Sequence, residues 1–459
     1  MARSDDRMTG HGRHLGSGVL VAALVLITAN AFAADFVSRS GTHFMYREAK
    51  FYYAGTNCYY LSYFMADVTR RGSAEDLLDL CRDRGFNVIR IWAFNDGGWN
   101  IDGYPNQWAY QQTPTGLYNE AALQGLDYAV RQCRIRGLRV ILTFTNNWDD
   151  YGGMNWYVNG SPTASAHDQF YTDAQCETWL KARIWTIVNR LNTCSGVLYK
   201  DDPTIFAWEL ANEPRAWDDR YCPAQLVRNW TANVSAYIKS LDPRHMVTSG
   251  IEGFYNAAIG TPSWLYNGWE GTDFIATHQV STIDFCTVHM YQDHWGISDA
   301  ETTAYLRKHL DDATNVIGKP VILEEFGRNI ANKNPYLQAW TDTVYNDAAA
   351  GKAAAGWNIW MIEAGGSGHD DGFSLILPED QSTLDLLTTQ AAKMNNLTAP
   401  NVDVNVDGSV NILDLIAIRN GMGKVPGSSA SVRCDVNEDG RINILDLITV
   451  RNKLNTHWP

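Results

Sequence analysis

From Phe51 to about Asn396 the chain alternates short runs of β-branched and aromatic residues with longer amphipathic stretches, and no other feature narrows its fold so far. A short apolar run followed by a helical period reads as a buried parallel strand and its return helix. The strand candidates are Phe51–Gly55, Val88–Trp92, Arg139–Thr143, Ile205–Leu210, Met246–Thr248, Phe285–His289, Val321–Glu324 and Trp357–Trp360. Helical periods fall between them at Glu75–Arg84, Glu120–Arg136, Leu226–Leu241 and Thr302–Ile317. Eight such units in roughly 350 residues predict a closed (β/α)8, or TIM, barrel. An open doubly wound sheet would usually carry a glycine-rich phosphate loop, and the sequence shows none.

In such a barrel the residues ending each strand converge on one face. Here they are Asn57, Arg90, Trp92, Asn146, Asn147, Asn212, Glu213, His289, Tyr291, Glu325 and Trp360. Capping of the next helix accounts for Asn57 or Asn146, but poorly for two glutamates and two tryptophans. Cleaving a glycosidic bond needs a proton for the leaving oxygen and stabilisation of an oxocarbenium-like centre, so two carboxyls must face each other across the sugar. Glu213, in Asn212-Glu213-Pro214 after the fourth strand, and Glu325, in Glu325-Phe326-Gly327 after the seventh, lie across the barrel mouth from one another. Asp149, Asp150, Glu252, Asp293, Asp370 and Asp371 fall in loops or on the rim, where a solvated role is expected for most. Glu324 is expected to point away from Glu325 by strand alternation. A net charge of -14 argues against a nucleic-acid partner or an anionic membrane surface. Seventeen tryptophans fit either an aromatic-rich core or platforms for pyranose rings.

The apolar run Val19–Ala29, preceded by Arg3, Arg7 and Arg13 and followed by Ala31-Phe32-Ala33, reads as a signal peptide over residues 1–33 and predicts a secreted, extracellular protein. It is too short to span a bilayer. Eight cysteines remain after cleavage, at 58, 81, 133, 176, 194, 222, 286 and 434. In an exported chain they can oxidise, but their pairing is not readable, and some suit a role as small buried hydrophobes.

After Leu397 the composition changes. Residues 403–423 recur at 435–455, with the same Asp-Val-Asn, Asp-Gly and Asn-Ile-Leu-Asp-Leu-Ile runs. Each copy offers oxygen ligands in the order a calcium loop needs: Asp403, Asn405, Asp407, the Ser409 carbonyl and Asp414 in the first, and Asp435, Asn437, Asp439, the Arg441 carbonyl and Asp446 in the second. Gly408 and Gly440 supply the sharp turn. Two loops in register, each leading into an apolar helix, predict a small all-α module holding two Ca²⁺ ions over residues 403–459. The catalytic domain is expected over 34–396 and a short linker over 397–402.

The barrel resembles glycoside hydrolase family five, and within it the β-mannanases of plants and fungi. The resemblance runs from about Phe36 to Asn396 and rests on the runs 88–95, 147–154, 201–215, 251–255, 288–291 and 325–327. It implies an endo-β-1,4-mannanase acting on mannan, galactomannan or glucomannan by retaining double displacement, with Glu213 as acid/base and Glu325 as nucleophile and no cofactor for catalysis. By the same match Asn212 holds the hydroxyl beside the reacting carbon, and Arg90, His289 and Tyr291 orient the nucleophile and its sugar. Trp92 and Trp360 wall the reactive subsite, and Arg215 and Trp148 touch sugars further along the groove. Ala216 stands where relatives often carry a cysteine, and the nearest is Cys222, which leaves the local disulfide open. An endo-β-1,4-glucanase or mixed-linkage glycanase remains open on the same scaffold, as does a non-catalytic carbohydrate-binding protein. The C-terminal repeat resembles the type I dockerin, which implies a cohesin-bearing scaffold as partner, with a calcium-stiffened spacer or surface anchor as the alternative. Ile412-Leu413 and Ile444-Leu445 stand where many dockerins have Ser-Thr.

Overall fold

A computed structural model describes residues 36–46, 49–97, 100–101, 104–218, 223–256, 263–365, 368, 370–398, 402, 404–405, 409–424, 434–436, 441–454 and 456–457. Eight parallel strands form the barrel: β1 (Tyr53–Asn57), β2 (Val88–Trp92), β3 (Arg139–Thr143), β4 (Ile205–Glu209), β5 (Met246–Thr248), β6 (Cys286–Met290), β7 (Val321–Phe326) and β8 (Ala354–Ile359). They pair in chain order, and β8 returns to β1. No strand ladder joins β5 to β6 among the described residues. That seam is closed by Asp284 N–H to Val247 O at 2.7 Å, His289 N–H to Glu252 O at 3.0 Å, and the Thr248 and Thr287 hydroxyls donating to Phe285 O and Ile251 O.

The expected fold is therefore the one observed. A helix follows every strand, from Arg71–Asp83 after β1 to Gln381–Thr398 after β8. Their apolar faces and the outer faces of the strands make the main core, from Leu78 and Ile89 round to Trp357 and Leu387. The helix expected at Thr302 starts earlier, at Asp299, because Ser298 and Glu301 form a reciprocal capping box that satisfies two free N–H groups.

The expected first strand is split. Phe51 belongs to an antiparallel sheet of Val37–Ser40, His43–Tyr46 and Ala49–Phe51, where it pairs with Phe44, and the barrel strand begins at Tyr53. Phe44 is fully buried, edge-on to Phe206 and Phe285 at 5.0 and 5.2 Å, so this sheet packs into the end of the barrel away from the catalytic face.

The C-terminal repeat forms helices Ile412–Gly421 and Ile444–Arg451 over a small core of Val404, Val410, Ile418, Val436, Ile442 and Val450. Among the described residues no helix is long and apolar enough to cross a membrane. The signal-peptide segment, residues 1–33, lies outside the described residues.

Candidate active site

Glu213 is carried past the end of β4 in a left-handed backbone conformation, φ 52°. A side chain there costs about 1–3 kcal/mol, and such strain persists only where surroundings over-determine it. They do: Glu213 N–H bonds Gly250 O at 2.9 Å, and Asn212 is tied on both sides, N–H to Thr145 O and its carbonyl to Asn147 N–H. Gly250 is itself at φ 75°, and a Cβ there would stand 1.9 Å from Ala211 O. The result aims the Glu213 carboxyl across the mouth.

Glu325 is the penultimate residue of β7, and its carboxyl is clamped by the Arg90 guanidinium on Oε1 and the Tyr291 hydroxyl at 2.6 Å on Oε2. Arg90 is completely buried and shared: it forks onto Glu209 at 2.6 and 2.8 Å and also reaches Asn57 and Asn212 Oδ1. Oxygens of Glu213 and Glu325 and a ring nitrogen of His289 all lie within 4.8 Å of one another. Carboxyls this close suit direct attack by one and proton handling by the other, whereas a gap wide enough for an intervening water suits inversion.

His289 stands between the two carboxyls. Its Nδ1 sits 2.8 Å from Glu213 Oε1 but 3.6 Å from Glu325 Oε2, so its main partner is Glu213. Trp148 Nε1 donates to the other Glu213 oxygen at 2.7 Å. Burial alone would push the Glu213 carboxyl up, but His289, Arg215 and the Trp148 N–H outweigh it and hold it down at about 2. Glu325 moves the other way. Burial and the neighbouring Glu213 charge raise it, against His289, Arg90 and the Tyr291 hydroxyl. The two carboxyls share His289 between them, so their titrations are linked.

The strand-alternation expectation for Glu324 also fails. β7 carries a bulge opposite Val288/His289, so that His289 aligns with Glu325 after Val288 has aligned with Leu323. The extra residue turns Glu324 inward, fully buried, with Oε2 at 3.2 Å from His289 Nε2. The Glu324-Glu325 doublet was the only sequence signal for it.

Glu252, expected on the solvated rim, is 2% exposed. It takes the Arg215 fork, Nε at 2.7 Å and Nη2, while Arg215 Nη1 goes to Glu270. Arg215 meets Glu252 and Glu270 because the segment after β5 brings both beside it. Asp371, another supposed rim residue, accepts the Trp360 indole N–H at 2.6 Å, and Asp293 pairs with Arg328. Asp150 lines the cleft, where burial raises its carboxyl.

Glu213, Glu325, Tyr291, Arg215, Glu252 and Asp371 line a cleft of about 920 Å³. Trp92, Asn212 and Trp360 lie in it as expected; Trp360 stacks on Tyr59 at 5.5 Å. Trp148 and Arg215 line the side of Glu213, together with Trp264, Trp269 and Trp295, which the sequence announced only through its tryptophan count.

In the C-terminal module Asp414 and Asp446 are fully buried and turn back onto their own loops, accepting Asn411 and Asn405 N–H in one copy and Asn443 and Val436 N–H in the other. Oxygen donors drawn inward in this way fit a hard cation. Asn405, Ser409, Asp435 and Arg441 stand on the same loops; Asp403, Asp407, Asn437 and Asp439 lie outside the described residues. Cys58, Cys81, Cys133, Cys176 and Cys286 are buried thiols, which favours the small-hydrophobe reading for them, and Cys222 is outside the described residues.

Residues 34–371 match the model for GH family 5 β-mannosidase-like proteins, and residues 401–455 match the dockerin type I domain. Mannan endo-1,4-β-mannosidase 1 of Solanum lycopersicum is 36% identical over 379 residues, 79% of this chain and 93% of that protein. Mannan endo-1,4-β-mannosidase 7 of Arabidopsis thaliana is 37% identical over 383 residues, 79% of this chain and 86% of that one. Among solved structures, the endo-1,4-β-mannanase from Rhizomucor miehei superposes with a TM-score of 0.68 at 31% identity, over 79% of this chain and 99% of that chain.

Proposed function

The chain belongs to glycoside hydrolase family 5, among its β-mannosidase-like members, and carries a dockerin type I domain; on that premise we propose that it is a secreted, retaining endo-β-1,4-mannanase. The observation that carries the proposal is the pair Glu213 and Glu325, their oxygens within 4.8 Å at the mouth of a tryptophan-lined cleft. Glu325, held by Arg90 and Tyr291, attacks the anomeric carbon while Glu213 protonates the leaving oxygen; water, deprotonated by Glu213, then releases the sugar from Glu325. Asn212, which lines the same cleft, serves the hydroxyl next to the reacting carbon. Trp92 and Trp360 wall the glycone side, and Trp148 and Arg215 the leaving side.

The choice of mannan over glucan leans on the relatives' activities, since the two glutamates serve either sugar. Reducing-sugar release from carob galactomannan, glucomannan, carboxymethylcellulose and xylan tests it: mannan-type substrates should be cut fastest, and a preference for carboxymethylcellulose refutes the substrate while leaving the catalytic pair.

For the C-terminal module we assign one Ca²⁺ to each loop, on Asp403, Asn405, Asp407, Ser409 O and Asp414, and on Asp435, Asn437, Asp439, Arg441 O and Asp446. The partner is a cohesin-bearing scaffold. Supporting this, each repeat exposes the same apolar positions, Ile412, Leu413 and Ile416 in one and Ile444, Leu445 and Ile448 in the other, all at least 40% exposed. A cohesin face built to receive Ser-Thr at these positions would leave them unmatched, so the scaffold's face is apolar there. The proposed domain limits are 34–396 and 403–459, but the last barrel helix runs on to Thr398, whose hydroxyl accepts the Tyr52 N–H at 2.8 Å, so the linker starts after 398 rather than at 397.

A further inference from the structure

General acid catalysis by Glu213 needs a proton on its carboxyl, yet His289 and Trp148 both stand as donors to its oxygens, which favours the carboxylate. The proton is next door. His289 has a carboxylate oxygen against each ring nitrogen, Glu213 Oε1 at 2.8 Å from Nδ1 and Glu324 Oε2 at 3.2 Å from Nε2. A neutral imidazole can donate through one nitrogen only, so satisfying both contacts with ionised carboxylates requires the imidazolium.

Glu324 has no other evident task. It is fully buried, its Oε1 has no hydrogen-bond partner among the described residues, and its nearest cation, Arg90 Nε at 3.8 Å, spends that N–H on Glu209. Burying a carboxylate with one oxygen unsatisfied is costly, and here the one direct contact is to His289. We propose that Glu324 is a positioning residue that holds His289 as an imidazolium, and that His289 thereby stores the proton Glu213 spends as general acid. The proposal rests on the acid/base reading of Glu213.

The step balances. When the leaving sugar enters, the Nδ1 proton passes to the Glu213 carboxylate, which leaves a neutral imidazole with its remaining proton on Nε2, bonded to Glu324. Glu213 gives the proton to the leaving oxygen as the Glu325 bond forms. In the second half it takes a proton from the attacking water and returns it to Nδ1 when product departs.

The groups facing His289 are Glu213 at the end of β4, Glu324 and Glu325 on β7, Glu252 after β5, Glu209 on β4 and Tyr291 on its own segment, with Arg90 on β2 and Arg215 beside Glu213 as opposing charges among the described residues; the carboxylates in direct reach of the ring, Glu213, Glu324 and Glu325, are the ones that favour the charge. Burial works against the imidazolium, but Glu325, Glu213 and Glu324 outweigh it and raise His289 well above an ordinary histidine.

The test is the pH profile of kcat/KM for E324Q and wild type, on a mannooligosaccharide and on an activated aryl β-mannoside, with the full chain. Removing the negative charge lowers the pH at which His289 loses its store. The basic limb on the oligosaccharide should therefore move to lower pH by about one unit or more, roughly a tenfold loss at a pH just above the wild-type limb. The aryl substrate, whose leaving group needs no proton, should show the same limb in both proteins. An unmoved limb on the oligosaccharide overturns the proposal, as does an equal shift on both substrates. E213A run alongside separates the two readings: if it loses both substrates equally, the acid/base assignment itself is wrong. Should E324Q fail to fold, ¹⁵N magnetic resonance of wild-type His289 decides, since both ring nitrogens must be protonated at pH 7, and a neutral ring contradicts the proposal.

Discussion

Replacing Arg215 with lysine probes the ion cluster that flanks the acid/base. Arg215 makes three bonds, two to Glu252 and one to Glu270, and its guanidinium lies 5.2 Å from the Trp148 ring whose N–H holds Glu213. A lysine keeps the charge but not the flat fork, so about two charge-assisted hydrogen bonds are lost, each worth on the order of 1.5–3 kcal/mol. Glu252 limits the damage: burial already pushes its carboxyl up to about 8 against the pull of Arg215, so it can take a proton instead of standing unpaired. The net cost should be about 2 kcal/mol at pH 9, or a Tm lower by roughly 2–3 °C, and about half that at pH 6. Loosening Trp148 should also lower turnover of mannooligosaccharides about tenfold, more than it lowers cleavage of any glucan. Scanning fluorimetry at the two pH values, with initial rates on mannohexaose, reads both effects. Unchanged Tm and cleavage pattern, or a larger loss at pH 6 than at pH 9, refutes the reasoning.

Tyr291→Phe removes the hydroxyl at 2.6 Å from Glu325 and should lower kcat/KM on mannan by about 10- to 100-fold with Tm little changed; a loss under threefold would show that Arg90 alone positions the nucleophile. Burial raises Glu209 and Glu252 to about 8, over the opposing charges of Arg90 and Arg215, from an unfolded value of about 4.3. The folded chain keeps protons that the unfolded chain has lost, so their contribution is full below about pH 4.3 and drains as pH rises to about 8; urea denaturation at pH 5.5 and 8.5 should find the barrel less stable at the higher pH, and Glu209→Gln should flatten the difference. Chelating calcium from the full chain should unfold the C-terminal module alone, seen as lost helical circular dichroism with barrel activity retained, and Asp414→Ala with Asp446→Ala should abolish that response; equal helicity with and without chelator contradicts calcium-dependent folding.

The barrel was legible because its eight strands are buried on both faces and read as continuous apolar runs, and because helices between them keep a strong period. Glu213 and Glu325 were legible because strand ends converge by topology. What the sequence hid depends on local departures from regular geometry. A single-residue bulge on β7 brings Glu324 into the site, where strict alternation turns it out. Glu252 and Asp371 lie in loops, and only the folded chain shows that one is sealed beneath Arg215 and the other holds Trp360. Phe51 reads as barrel strand because its neighbours are equally apolar, and only pairing with Phe44 assigns it to the antiparallel sheet. His289 was recognised as a site residue, but which carboxyl it serves is a matter of less than 1 Å.

The assignment of Glu325 as nucleophile and Glu213 as acid/base is tested most directly by trapping the intermediate. An activated 2-deoxy-2-fluoro-β-mannoside, whose fluorine slows release of the bound sugar, should inactivate the enzyme with a single added mass, and digestion should place that mass on the peptide carrying Glu325. Glu325→Ala should take up no label, while Glu213→Ala should still be labelled by the same activated compound. Label on Glu213 or Glu324, or an inverted anomer as the first product seen by proton magnetic resonance, contradicts the account.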